Sequence, residues 1–87
     1  MKTSRYHVLK THPQQYQAIK ELRKKFEWRR DDRSPRFEVG DLLKLVEFDP
    51  KLNSVTGRSM VVEVKYTLRD EYDVPHGFVI MSIEVIS

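Results

Sequence analysis

Lys24, Lys25, Glu27, Arg29, Arg30, Asp31, Asp32, Arg33 and Arg36 follow one another with only Phe26, Trp28, Ser34 and Pro35 between them. The chemistry such a row offers is ionic recognition. Arg29 and Arg33 can each grip a phosphate with two N–H groups or stack on a base. Lys24 adds a mobile point charge, and Glu27 can fix Arg29 or accept from a base amino group. The competing reading is a structural network in which Glu27 pairs with Arg29, and Asp32 with Arg33. Exposed pairs of that kind contribute about 0–1 kcal/mol, too little to account for so dense a row. The row is therefore read first as a binding feature.

Other chemistries fit less well. Glu27, Asp31, Asp32 and Glu47 are hard oxygen donors suited to a divalent cation, as a metal-dependent nuclease would need. Their spacing matches no metal signature, and the nearby arginines are expected to pair with them. His7, His12 and His76 are scattered, and there is no cysteine. No zinc site and no cofactor is expected.

Charge is divided along the chain. Residues 1–36 hold 11 Lys/Arg against 4 Asp/Glu, a net of +7, and residues 37–87 hold 5 against 9, a net of −4. A folded surface with a positive side attracts phosphates. Part of the cluster at Lys20, Arg23, Lys24 and Lys25 also suits the end of a helix, where the dipole favours cations. The 87 residues make one domain, near the size where burial only just offsets chain entropy. Charged residues are 33% and hydrophobic residues 39%, as in a folded domain with a small core. No apolar run reaches the roughly 20 residues of a membrane span, and residues 1–7 have no apolar signal-peptide core. A soluble, cytoplasmic protein without disulfides is expected.

The elements that must position these residues read as β-α-β-β-β-β. Tyr6–Lys10 is a short strand with His7 and Leu9 on one side. Thr11-His12-Pro13 starts a helix, Pro at the first helical position sacrificing no needed hydrogen bond. Tyr16, Ile19 and Leu22 recur at helical spacing to about Lys24, with Gln14, Gln17, Glu21 and Lys24 as the solvated face. Phe26–Arg30 alternates as a second strand, with Phe26 and Trp28 on the buried face and Glu27 and Arg29 on the charged one. Asp31–Arg36 is an ionic loop. Val39-Gly40-Asp41 turns into Leu42–Phe48, which Asp49-Pro50 ends. After a loop over 51–57 with a Thr-Gly turn comes a strand over Ser59–Leu68, whose inner face is Met60, Val62, Val64 and Tyr66. Arg69–Gly77 is an acidic loop. Phe78–Ile86, apolar on both faces, is an interior strand. This order describes a small α+β, barrel-like domain of about five strands, plugged by one helix near the N-terminus.

Read in order, the motifs are His7-Val8-Leu9-Lys10, Pro13, Ala18-Ile19, Lys24-Lys25-Phe26-Glu27-Trp28-Arg29, Asp31-Asp32-Arg33 and Val39-Gly40-Asp41. They continue with Glu47-Phe48-Asp49, Thr56-Gly57-Arg58 and Val79-Ile80-Met81-Ser82-Ile83. Over nearly its whole length the chain thereby resembles the ASCH domains of the PUA-like superfamily, and within them a small subfamily common in bacteria and their phages. Two positions depart from the pattern. ASCH domains usually carry a glycine two residues before the motif lysine; here it is Leu22, so an extended turn or a longer helix is expected. Ser34-Pro35 reads as an insertion in a loop that is shorter in relatives.

The resemblance implies a PUA-like barrel that binds single-stranded or structured RNA, or a nucleotide or nucleoside, in a basic cleft beside the helix. Carried over residue by residue, the cleft candidates are Lys24, Glu27, Arg29, Asp32 and Arg33, with Lys10 and Arg58 at its edge. Trp28, Tyr66 and Tyr72 are the aromatic rings available for stacking. Strand alternation assigns Trp28 and Tyr66 to the core and leaves Tyr72 the freest.

Two alternatives stand beside this reading. Some ASCH relatives are amidohydrolases acting on acetylated cytidine, with a motif lysine, a hydroxyl residue three positions on and a distant carboxylate. Lys24 matches, but the hydroxyl position is Glu27 and the segment bearing the distant carboxylate is missing, so a small hydrolase would rest on Lys24 and Glu27 alone. The other alternative is a protein-interaction module, such as a phage factor that blocks a host protein; an exposed apolar patch would favour it.

Overall fold

The computed structural model describes residues 5–32 and 34–87. Five strands and one helix follow the order β1 (Tyr6–Thr11), α1 (Pro13–Lys20), β2 (Phe26–Arg30), β3 (Leu42–Asp49), β4 (Ser54–Leu68) and β5 (Phe78–Val85). The strands make one sheet in the order β1-β3-β4-β5-β2, so the two strands that flank the helix in sequence are its two edges. β1 lies parallel to β3, with His7 opposite Leu43 and Leu9 opposite Leu45. The other pairings are antiparallel. The interior position expected for the last strand is observed, between β4 and β2.

The sheet curls into a half-barrel around α1. Tyr16 and Ile19 of the helix are buried with Leu9, Leu43, Leu45, Met60, Val62, Val64, Val79, Met81 and Ile83 from the strands. Phe37, from the loop before β3, is fully enclosed as well. That loop is pinned by two carboxylates. Asp31 accepts from Arg69 at 2.7 Å, and Arg69 also donates to the Phe37 carbonyl at 2.6 Å. Asp41 meets the His7 ring at 2.9 Å and accepts from the backbone N–H of Glu38. Burial alone would raise the Asp41 carboxyl, but His7 and the N–H groups of Glu38 and Arg5 hold it below its ordinary value.

Four expectations need correction. First, the helix ends at Lys20, not near Lys24. Leu22 adopts φ 62°, its N–H bonds the Ile19 carbonyl at 3.0 Å, and the Arg23 N–H bonds the Ala18 carbonyl at 2.9 Å. This is a Schellman cap with leucine in the left-handed position that glycine usually fills. The helix is thus shortened at Leu22 rather than lengthened.

Second, the faces of β2 are reversed. Glu27 is 2% exposed, whereas Phe26 and Trp28 are 47% and 51% exposed. Alternation gives a strand its period, but which face turns inward is decided by the available partners, and Glu27 finds one in Arg29.

Third, Tyr66 is on the surface. A bulge between Val64 and Tyr66 shifts the register of β4 against β5, so Met60, Val62 and Val64 point inward while Tyr66, opposite Ser82, points out. Fourth, β4 begins at Ser54 and absorbs the expected Thr56-Gly57 turn, pairing Ser54 with Asp49 and Val55 with Phe48. Gly57 sits within the strand at φ 100°.

Candidate functional site

The edge strands β1 and β2 flank a seam that the Arg29 side chain spans. Arg29, on β2, donates from Nη1 to the Lys10 carbonyl at 3.1 Å and from Nη2 to Thr11 Oγ1 at 3.2 Å, both on β1. Its Nε donates to Glu27 Oε2 at 2.8 Å. Beside this bridge a cleft of about 210 Å³ opens, lined by β1 and its exit (Lys10, Thr11, His12), by Gln15 of α1, and by Lys24, Glu27, Trp28 and Arg29.

Glu27 forms part of the cleft's inner lining. Oε2 is taken by Arg29, but Oε1 is the buried side-chain oxygen that lacks a hydrogen-bond partner among the described residues. Lys24 Nζ lies 4.0 Å from it and donates instead to Gln15 Oε1 at 2.8 Å. A buried acceptor without a donor is costly, so this oxygen has unused hydrogen-bonding capacity in a residue that lines the cleft. Around it Lys24 and Arg29 keep the potential positive, and Lys10 lies at the rim with Nζ 4.5 Å from the Phe48 ring centre.

Of the residues chosen from sequence, the structure brings together Lys10, Lys24, Glu27 and Arg29. Arg58 lies elsewhere, on another flank of the helix. It holds Glu47 at 2.9 Å and Gln17 at 3.2 Å and stacks 4.9 Å from the Tyr16 ring centre. Hydrogen bonds from Arg58 and then Thr56 hold the Glu47 carboxyl down at about 2. Burial pushes the Tyr16 hydroxyl up, against the opposing charge of Arg58. Asp32 is exposed and pairs loosely with Arg30 at 3.8 Å, outside the cleft lining. Arg33 lies outside the described residues.

Thr11, His12 and Gln15 were missed as cleft residues: Thr11 and His12 were read only as a helix start, and Gln15 was not singled out. One signal was available. The first turn of a helix that leaves the end of a strand must lie over that strand's end, and Lys10 was already a candidate there. The expected pairing of Asp31, Asp32 and Glu47 with arginines is observed, through Arg69, Arg30 and Arg58 respectively. Among the described residues no three His, Asp or Glu side chains converge as a metal ion would require. No helix among them is long and apolar enough to cross a membrane.

A small α+β half-barrel with an ionic cleft at its seam is the class that fold and site define. The chain belongs to the family described as a domain of unknown function, DUF3850, which matches residues 6–83. No curated protein matches it at a significant level.

Proposed function

We propose that the protein is an RNA- or nucleotide-binding module that receives a base with its attached phosphate in the cleft at the β1–β2 seam. The observation that carries this reading is Glu27 Oε1, a buried acceptor awaiting an N–H donor within reach of Lys24. The exocyclic amino group of a base, as on cytosine, supplies such a donor. Lys24 would then meet the phosphate, and Lys10 and the exposed ring of Trp28 line the same opening. The resemblance to ASCH domains and their PUA-like barrels points the same way, since the half-barrel, the helix and the Lys24-to-Arg29 motif meet at this cleft.

The test is a titration of the protein with labelled single-stranded oligocytidylate and with CMP across a salt series, with duplex controls. Binding should weaken steeply with salt, and Lys24→Ala should flatten the slope by about one unit if one phosphate contact is lost. Glu27→Gln, which presents an amide where the carboxylate stood, should weaken CMP binding. Absence of binding at low salt would end the proposal.

The hydrolase reading keeps one supporting observation: Glu27 Oε1, without a hydrogen-bond partner among the described residues and near Lys24, is also where a general base would stand. It predicts turnover of modified nucleosides that both Lys24→Ala and Glu27→Gln abolish. The protein-interaction reading gains from the exposed aromatic rings of β2 and β4, whose surface has a character of its own.

A further inference from the structure

A cleft of about 210 Å³ is smaller than the roughly 300–1,000 Å³ of typical small-molecule sites, so it holds one compact group and not a length of polymer. The outward face of the sheet beside it is built differently. The antiparallel registers place Trp28, Ile80 and Leu68 in one row across β2, β5 and β4. The next row holds Phe26, Ser82 and Tyr66. Phe26, Trp28 and Tyr66 are each about half exposed or more. A domain this small has little reason to leave three aromatic rings on one sheet face unless something covers them.

We propose that this face is a stacking platform for single-stranded nucleic acid, continuous with the cleft through Trp28. The inference rests on the nucleic-acid reading of the cleft and extends it from one base to a strand. Charge argues for this occupant. Lys24 lies 5.2 Å from the Phe26 ring centre, and Arg30 lies 4.8 Å from that of Phe78, at the other end of the β2–β5 pair. Lys25, also exposed, adds a third cation on the β2 side. In residues 23–30 the one carboxylate is Glu27, which is buried and faces inward, so the outward side of this segment is cationic.

Spacing argues the same way. Residues two apart on a strand stand about 7 Å from one another and neighbouring strands about 4.8 Å. Small Ser82 therefore leaves a trough between Phe26 and Tyr66, with Trp28 one row along. Sheets that stack two or three bases on strand aromatics are an established route to single-stranded recognition, and each base–ring stack tolerates any base because every base has a π-face.

The experiment compares oligocytidylate of about eight nucleotides, within the usual site size of such surfaces, with CMP. Binding is read by fluorescence of Trp28, the chain's single tryptophan, and sedimentation is run in parallel. The variants are Tyr66→Ala, Tyr66→Phe and Glu27→Gln. Tyr66 does not line the cleft and is 63% exposed, so its loss should leave the fold and CMP binding alone. The oligonucleotide should quench Trp28 and bind more tightly than CMP. Tyr66→Ala should weaken it by about 5- to 150-fold, the usual loss of one stacked ring, and Tyr66→Phe should retain the affinity. If CMP fails to bind while Tyr66→Ala still weakens the oligonucleotide, the platform stands and the cleft reading falls. If CMP binds and Tyr66→Ala leaves the oligonucleotide unaffected, the platform is overturned and the cleft reading survives. Self-association of the chain that Tyr66→Ala abolishes, with no quenching by oligonucleotide, would instead make the face a contact between two copies and overturn the proposal.

Discussion

Arg29 divides one guanidinium among Glu27, the Lys10 carbonyl and Thr11 Oγ1. Its fixed fork suits three acceptors in different directions, a task lysine cannot do. Removing it would leave Glu27 buried without its partner and the two sheet edges without their cross-link. Arg29→Ala is therefore expected to destabilise the fold by about 3 kcal/mol, the low end for breaking a buried pair because Arg29 is itself a quarter exposed. Denaturant unfolding measures this. Replacing both Glu27 and Arg29 by methionine should cost less than Arg29→Ala, since no charge is then stranded. The same geometry explains how far the site was legible. Of the Lys24-to-Arg29 row, Lys24, Glu27 and Arg29 were read as neighbours in one cleft, and the structure lines a cleft with all three. Which face of β2 they occupied was not legible, because Phe26 and Trp28 look like core residues wherever period alone is consulted. The partner that turns Glu27 inward lies two positions away on the same strand, and the acceptors that hold that partner lie on β1.

At the scale of elements, the cap of α1 and the turn end of the β3–β4 hairpin carry separate predictions. Leu22 occupies φ 62°, where an L-residue with a Cβ is disfavoured by roughly 1–2 kcal/mol. Its side chain is 58% exposed, so little packing is lost on removing it. Leu22→Gly should raise stability by about 1 kcal/mol, part of the relief being offset by glycine's greater freedom in the unfolded chain. A rise in Tm would show it. The ASCH pattern that the sequence resembles has a glycine at position 22, and the expectation drawn from leucine there was an extended turn or a longer helix; that leucine would accept the left-handed conformation was not legible. In the hairpin, Arg58 and Thr56 hold Glu47 near a pKa of about 2, below its ordinary 4.5. The folded value is the lower one, so the stabilisation is complete above about pH 4.5 and disappears as pH falls through about 2. Glu47→Gln should lessen the dependence of stability on pH across that window, as followed by acid titration of the unfolding midpoint. The bulge at Lys65 was invisible in sequence, because only pairing with β5 requires the extra residue, and it alone sends Tyr66 to the surface.

For the molecule as a whole, strand count, helix position and a single sheet were all legible from hydrophobic period and turn residues. The order β1-β3-β4-β5-β2 was not, since nothing local says that β1 will pair parallel with β3. That order has a consequence for the sequence in which structure is gained and lost. β3, β4 and β5 are joined to their neighbours as consecutive antiparallel strands, whereas β1 and β2 must each find a partner distant in the chain. Loop-closure entropy makes such pairings late events. The β1–β2 seam therefore assembles last, on a pre-built three-stranded meander, and should be the first part to open. Native-state amide exchange would reveal two cooperative units, with β1 and β2 exchanging through a cheaper partial opening than the meander. A ligand that spans the seam should slow exchange in β1 and β2 far more than elsewhere, which makes the kinetics of backbone protons a reporter of binding.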